Sequence, residues 1–323
     1  MSRSKFTSFI FINYLLLFGC GLIWGSQYLL NKIALESFST SMIAAGRIGI
    51  GTITLTLILV AGGEKPTSLQ QDRSSFWTLL PDFILIGFLE ATLPCILVAW
   101  AQHQLPSSVT AILIGTVPLF ATLLEGLFVK DHTISAMKVF GIFLGFLGVV
   151  ILVQPMALLS KILISSQASS LPILPVLAVL TAAFCFSITI LLIKVRIGSK
   201  LGPVHSAQGI LTGASITALP LMLWLTKPWL MTSFHPLVSS SLTLLLLGIF
   251  CGGLVYILYV KLINRAGPSF ASTCNYLVPP IGAFLGIAFS EEKMTSNIIS
   301  ALILILVALW LSSGKKKSNL LIA

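Results

Sequence analysis

The 323-residue chain is 56% hydrophobic and only 9% charged, which leaves too little polar surface for a soluble protein of this length and points to a polytopic membrane protein. Its net charge of +10 follows topology, not affinity for a polyanion. With the N-terminus inside, 14 of the 19 Lys and Arg residues fall on cytoplasmic segments, Lys32, Lys161, Lys227 and Lys293 fall outside, and Arg47 lies within a span. That bias places both termini in the cytoplasm and gives no footprint for nucleic acid.

Apolar windows of about 20 residues, the length that crosses a bilayer, predict spans at 11–30, 41–61, 80–100, 107–129 and 136–154, then at 172–193, 205–225, 241–260, 270–289 and 296–313. Arg3 and Lys5 precede the first run as in a signal peptide, but the run exceeds a signal core and no small-residue cleavage site closes it. It reads as a retained span. The connection 155–171, with Pro155, Lys161 and Ser165, Ser166, Ser169 and Ser170, is expected on the outer side. Cys20, Cys95, Cys185, Cys251 and Cys274 all fall in predicted spans without CxxC spacing, so they act as small apolar residues, and neither disulfide nor metal is expected.

The chain repeats itself. Shifting 24–152 forward by 161 positions, without a gap, lays Gly87 on Gly248, Ser108 on Ser269, Pro118 on Pro279 and Asp131 on Glu292. Each copy holds five spans, an odd number, so the second enters the membrane upside down relative to the first. Inverted repeats of this kind build secondary transporters, with the solute site near mid-membrane between the copies. The expected fold is all-α: ten transmembrane helices as two inverted five-helix repeats, 11–154 and 172–313. Gly21–Gly25, Gly141–Gly145, Gly209–Gly213 and Gly282–Gly286 form GxxxG pairs that let helices approach closely inside the bundle, and the same motif suits a homodimer face. Pro118 and the pair Pro279–Pro280 sit at matching positions in the fourth and ninth spans, where proline kinks or opens a helix. The match favours a cavity or hinge role for all three.

Glu90 is the leading solute-binding candidate, because an ionisable group near mid-span costs about 2.5–3.5 kcal/mol on insertion scales. It either attracts an ammonium or sulfonium, releases a proton that couples transport, or stays protonated and bonds to a neighbouring helix. Pro94 shares its helical face and frees a backbone carbonyl beside it. Arg47 either holds a carboxylate in bidentate fashion or snorkels to the headgroups. Trp24, Gln27, Tyr28 and Asn31 follow i, i+3, i+4, i+7 and so share one face, which is either a wall for a flat or cationic solute or an interfacial aromatic belt. Asn275 and Tyr276, one turn before the double proline, form a binding pair or bond between helices. Trp100, Tyr256 and Tyr259 are expected at the interfaces, and Glu125, Asp131 and Glu292 in structural roles, the last two capping a helix or pairing with basic residues.

Two segments carry a recognisable pattern of small residues, a mid-span proline and a closing acid: SSVTAILIGTVPLFATLLEGLFVKD from Ser107 and PSFASTCNYLVPPIGAFLGIAFSEE from Pro268. Together with Trp24-Gly25-Ser26 and Lys32 they resemble the EamA family of the drug/metabolite transporter superfamily, along essentially the whole chain. The resemblance implies a ten-helix carrier of small organic solutes such as amino acids, other metabolites or nucleotide sugars. More faintly, the chain is similar to the S-adenosylmethionine carriers of intracellular bacteria, which implies exchange for S-adenosylhomocysteine. Asp131 departs from the glutamate usual in the family, and Glu90 and Glu125 occupy positions more often apolar.

Other classes fit less well. His103, His132, His205 and His235 lie near span ends and make no metal-ligand cluster, and there is no GxSxG, Walker loop or HExxH. A drug exporter and an accessory subunit remain as alternatives to the metabolite carrier. The partners expected are a small-molecule substrate and the lipid bilayer, with no cofactor.

Overall fold

The computed structural model describes residues 3–63, 73–128, 136–153, 171–197, 201–227, 236–290 and 292–312. Asp131, His132, His235 and most of the connection 155–171 lie outside the described residues, as does the side chain of Glu125. Among the described residues ten long helices follow in chain order, with a short helical turn, Pro268–Ala271, before the ninth: α1 (Arg3–Ala34), α2 (Thr40–Ala61), α3 (Trp77–Ala101), α4 (Ser107–Leu124), α5 (Ala136–Val153), α6 (Ile173–Ile197), α7 (Pro203–Thr226), α8 (Val238–Ala266), α9 (Thr273–Ser290) and α10 (Ser296–Ser312). Among the described residues, α2 to α9 are eight helices long and apolar enough to cross a membrane, and α10 is a shorter apolar helix. The 32 residues of α1 span about 48 Å at 1.5 Å per residue, more than a bilayer's hydrocarbon core. The chain is thus a multi-pass membrane protein in which backbone groups are paired within helices, as lipid requires.

Helix contacts follow the 161-residue register. Three helices pack on their own counterparts: α2 on α7, α4 on α9 and α5 on α10. Most other large contacts come in exchanged pairs: α3 with α7 and α8 with α2, α1 with α9 and α6 with α4, α3 with α6 and α8 with α1. Glycines set these crossings. A Cβ on Gly21 or Gly25 would strike Leu277 or Ile281 of α9, and one on Gly282 would strike Ala111 of α4. Gly213 and Gly87 bring the α3 and α7 backbones together, since a Cβ on either would meet main-chain atoms of the other helix. Three of the predicted GxxxG pairs therefore pack helices inside the bundle.

The regular helices are interrupted where the repeats match. In α4 the helix stops at Ile114 and restarts at Val117, just before Pro118. In α9 a tight 3-10 segment, Ser272–Tyr276, gives way to α-helix at Val278, just before Pro279 and Pro280. The two breaks face each other, for a Cβ on Gly115 would contact Pro279. In α3 and α8 the backbone widens into π-helical turns, Phe88–Thr92 and Leu247–Leu254. The 161-residue register lays the first of these on 249–253, inside the second. Such turns are frequent at functional sites.

Space at the α3–α7 crossing is set by backbone, which cannot move aside. Gly213→Val is expected to lower the thermal midpoint in detergent by at least ~5 °C. Gly49→Ala, where nothing lies within 4 Å of the added Cβ, is expected to leave it unchanged.

Candidate functional site

The π turn of α3, the broken helices α4 and α9 and the neighbouring faces of α1, α2, α6 and α8 line a narrow cavity. Six of the predicted residues line it: Trp24, Gln27, Tyr28, Arg47, Glu90 and Asn275. Arg47 and Glu90 are its two charged lining residues, from α2 and α3.

Glu90 sits in the π turn of α3 and is 3% exposed. Its carboxylate accepts a hydrogen bond from Thr189 of α6, so it both faces the cavity and binds a neighbouring helix. Pro94, four residues on, has no N–H to return to the Glu90 carbonyl. The Tyr256 hydroxyl takes that carbonyl instead, at 3.3 Å. The register carries Glu90 onto Cys251, in the π turn of α8, and the Cys251 carbonyl likewise accepts from a side chain, Arg47 Nη2 at 2.9 Å. Snorkelling is excluded for Arg47, which is 8% exposed and held inward by that bond. No ion pair within 4 Å joins Arg47 to Glu90, so the two share a cavity without touching, unlike Lys32 and Glu292 or Arg196 and Asp82.

An aromatic belt is excluded for Tyr28, which is 1% exposed. Its hydroxyl is buried beside the Gln27 amide without a well-formed hydrogen bond, while the ring lines the cavity. Trp24 packs edge to face on Tyr259 (centroids 4.7 Å apart, planes at 71°) and on Tyr256 (6.2 Å, 83°). Tyr256 and Tyr259, expected at an interface, are instead 3% and 2% exposed and line the cavity. The reason is length: α8 continues to Ala266, beyond the predicted end at 260, so both rings lie deeper in the bundle. Trp100 is exposed on the bundle surface.

Two candidates do not reach the wall. Asn31 completes the α1 stripe one turn too far along, and its side chain donates to Gln102 at 3.1 Å. Tyr276 follows Asn275 directly on a tight helical turn, so the two cannot share a face, and Tyr276 packs against the apolar core. Cys95, Phe186, Tyr256 and Tyr259 were not expected in the wall. The repeat carried a signal for some of them. The 161-residue register pairs Cys95 with Tyr256, Ile114 with Asn275 and Val117 with Val278, and all six line the cavity.

Beyond Tyr28, one end of the bundle is tied shut. The Tyr28 carbonyl accepts from Gln102 Nε2 (2.8 Å) and Ser107 Oγ (3.1 Å). Glu292, between α9 and α10, accepts from the Ser107 and Ser108 backbone amides (2.7 and 2.9 Å) at the start of α4, and pairs with Lys32 at 3.2 Å. The expected capping and pairing are both present, although the helix capped is α4, not the one that follows Glu292. Burial alone would raise the Glu292 carboxyl, but hydrogen bonds from Ser108 and Ser107, with Lys32 nearby, outweigh it and hold the group below its ordinary 4.5.

A sequence profile of the EamA-like transporter family matches residues 11–154 and again 173–314. The chain is 22% identical to the uncharacterized transporter YoaV of Bacillus subtilis, covering 90% of this chain and 93% of YoaV. It is 26% identical to the uncharacterized inner membrane transporter YedA of Escherichia coli K12, covering 86% and 83%. A solved crystal structure at 17% identity superposes with a TM-score of 0.64 over 93% of this chain and 96% of that one, a likeness of fold.

Because the Glu292 carboxyl is lowered on folding, its stabilisation is present above pH 4.5 and is lost as pH falls through the lowered value. Glu292→Gln is expected to lower the thermal midpoint at pH 7, with the gap to the unsubstituted protein closing in melts taken progressively below pH 4.5.

Proposed function

The chain belongs to the EamA-like transporter family, and we propose that it carries a small organic zwitterion across the cytoplasmic (inner) membrane by alternating access. The solute class is an amino acid or an amino-acid derivative, with S-adenosylmethionine exchanged for S-adenosylhomocysteine among its members. The observation that carries this reading is the pair of buried opposite charges, Arg47 and Glu90, lining one cavity without an ion pair between them. A buried charge without a partner costs several kcal/mol. A solute with a carboxylate at one end and a cation at the other supplies both partners at once. Arg47 has the planar fork that suits a carboxylate. The Tyr28 hydroxyl, without a well-formed hydrogen bond, is available to donate to the same group. Gln27 and Asn275 add amides to the wall.

Movement is assigned to the breaks at Pro118 and at Pro279–Pro280, where α4 and α9 cross. With both termini cytoplasmic, the Lys32–Glu292 tie lies on the outer side, and opening there requires Glu292 to leave the start of α4. The aromatic share of the wall also suits export of bulky organic cations, a second reading in which Arg47 has no anion to bind.

Uptake into proteoliposomes decides between them, with a panel of labelled amino acids and S-adenosylmethionine and with unlabelled solute preloaded or absent. Saturable uptake of one zwitterion, stimulated by preloading, is expected; uptake confined to cations without a carboxylate would overturn the reading. Glu90→Gln is expected to lose transport while reaching the membrane at normal abundance, and normal uptake by that variant would remove Glu90 from the site. Arg47→Lys is expected to weaken uptake through lost bidentate contact. Tyr28→Phe is expected to raise KM about tenfold, the ~1.4 kcal/mol of a hydrogen bond to a charged group.

A further inference from the structure

The cationic end of the cavity is richer in ring surface than in free acceptors. Trp24, Tyr256, Tyr259 and Phe186 all line the space that Glu90 faces. Trp24 stands edge to face with both Tyr256 and Tyr259 (planes at 83° and 71°), which makes a corner of aromatic walls. Three of the acceptors beside that corner already hold donors of the protein. The Glu90 carboxylate accepts from Thr189, the Glu90 carbonyl from Tyr256, and the Cys251 carbonyl from Arg47. A primary ammonium brings three N–H donors and needs three acceptors. Beyond the second Glu90 oxygen it would compete with these bonds for its remaining acceptors, and any N–H left unpaired in a buried site is costly. A fully alkylated nitrogen or sulfur cation brings none. Its charge is spread over methyl groups, is weakly hydrated, and is attracted to ring faces, which is how aromatic cages hold quaternary ammonium groups.

We infer that Trp24, Tyr256 and Tyr259 set the specificity of the cationic subsite, so that the carrier selects an alkylated onium, a quaternary ammonium or sulfonium, that also bears a carboxylate, over the corresponding primary amine. Glu90 supplies long-range charge, and the rings supply the contact. The inference rests on the proposed zwitterion site and adds what its positive end must look like. It also accounts for the chemistry of the walls: a subsite built for N–H groups would present open carbonyls, whereas here the carbonyls of Glu90 and Cys251, in the π turns of α3 and α8, already accept from Tyr256 and Arg47.

The test holds the carboxylate constant and changes only the cation. Equilibrium binding of glycine, N-methylglycine, N,N-dimethylglycine and trimethylglycine to the full chain in detergent is expected to tighten with each methyl, at least tenfold across the series. Dimethylsulfonioacetate is expected to bind like trimethylglycine. A flat or reversed order would overturn the inference, and the unsubstituted chain alone suffices to show it. Tyr259→Leu is expected to flatten the series and Tyr259→Phe to retain it; a gradient unchanged in the Leu variant would remove the rings as its cause. Tetramethylammonium, which lacks the carboxylate, separates the two readings. If it binds as tightly as trimethylglycine, the aromatic corner stands and the zwitterion reading falls. If glycine binds as tightly as trimethylglycine, the zwitterion reading stands and the aromatic corner falls. If none of these probes binds, both fall.

Discussion

Two carbonyl oxygens govern this site. A helix in lipid has to satisfy its backbone internally, and a released carbonyl is tolerated only where something else takes it. The π turns of α3 and α8 place the carbonyls of Glu90 and Cys251 at matched positions, and each is taken by a side chain from another helix. Those two bonds do more than repair the helices. The Glu90–Tyr256 bond joins α3 to α8, and the Cys251–Arg47 bond joins α8 to α2. The side chains that lend their donors are the ones that wall the cavity. Interruption of regular structure, closure between the repeats and placement of the charged groups therefore share one cause.

The backbone obeys the repeat more closely than the chemistry does. The breaks in α4 and α9, the π turns of α3 and α8 and the main crossings follow the 161-residue register, whereas the π turn Ile193–Ile197 of α6 has no counterpart in α1. The charges do not. Arg47 falls on Gln208 and Glu90 on Cys251, so both charged wall residues come from the first copy. The second copy answers with Tyr256, where the first has Cys95, and with Asn275, where the first has Ile114. A duplicated scaffold has thus become an asymmetric site, with both ionic groups from one half and aromatic and amide groups from each. An asymmetric solute with a defined head and tail suits such a wall better than a symmetric ion does.

What could be read from sequence was what residue types announce. Ten spans follow from hydropathy, the breaks in α4 and α9 from Pro118, Pro279 and Pro280, and the cavity wall from a costly charge, Glu90, and a one-sided stripe on α1. Pro94 even signalled a released carbonyl. Its partner was hidden, because Lys261 and Arg265 made the end of α8 look like a loop. Cations suit the last turns of a helix, and α8 runs on to Ala266 before Gly267, at φ +85°, ends it. That misplaced end sent Tyr256 and Tyr259 to the interface. The Cys251 carbonyl gave no signal at all, since a backbone acceptor is the same in every residue. Asn31 was misread for a different reason. Its stripe is real, but two turns of helix outrun a cavity this narrow.

Tyr28 connects the cavity to the tie that closes one end of it. Its ring and hydroxyl face the space between Arg47 and the aromatic corner, while its carbonyl holds both Gln102 and Ser107. Ser107 in turn gives its amide to Glu292, which also holds Lys32 from the end of α1. The Tyr28 carbonyl is reached by these donors only while α1, α3 and α4 keep their present spacing. A shift of α1 that moves the Tyr28 ring within the cavity moves its carbonyl by a similar amount and strains both bonds. One residue of α1 thus contributes to both the cavity wall, through its ring, and the closed end, through its carbonyl.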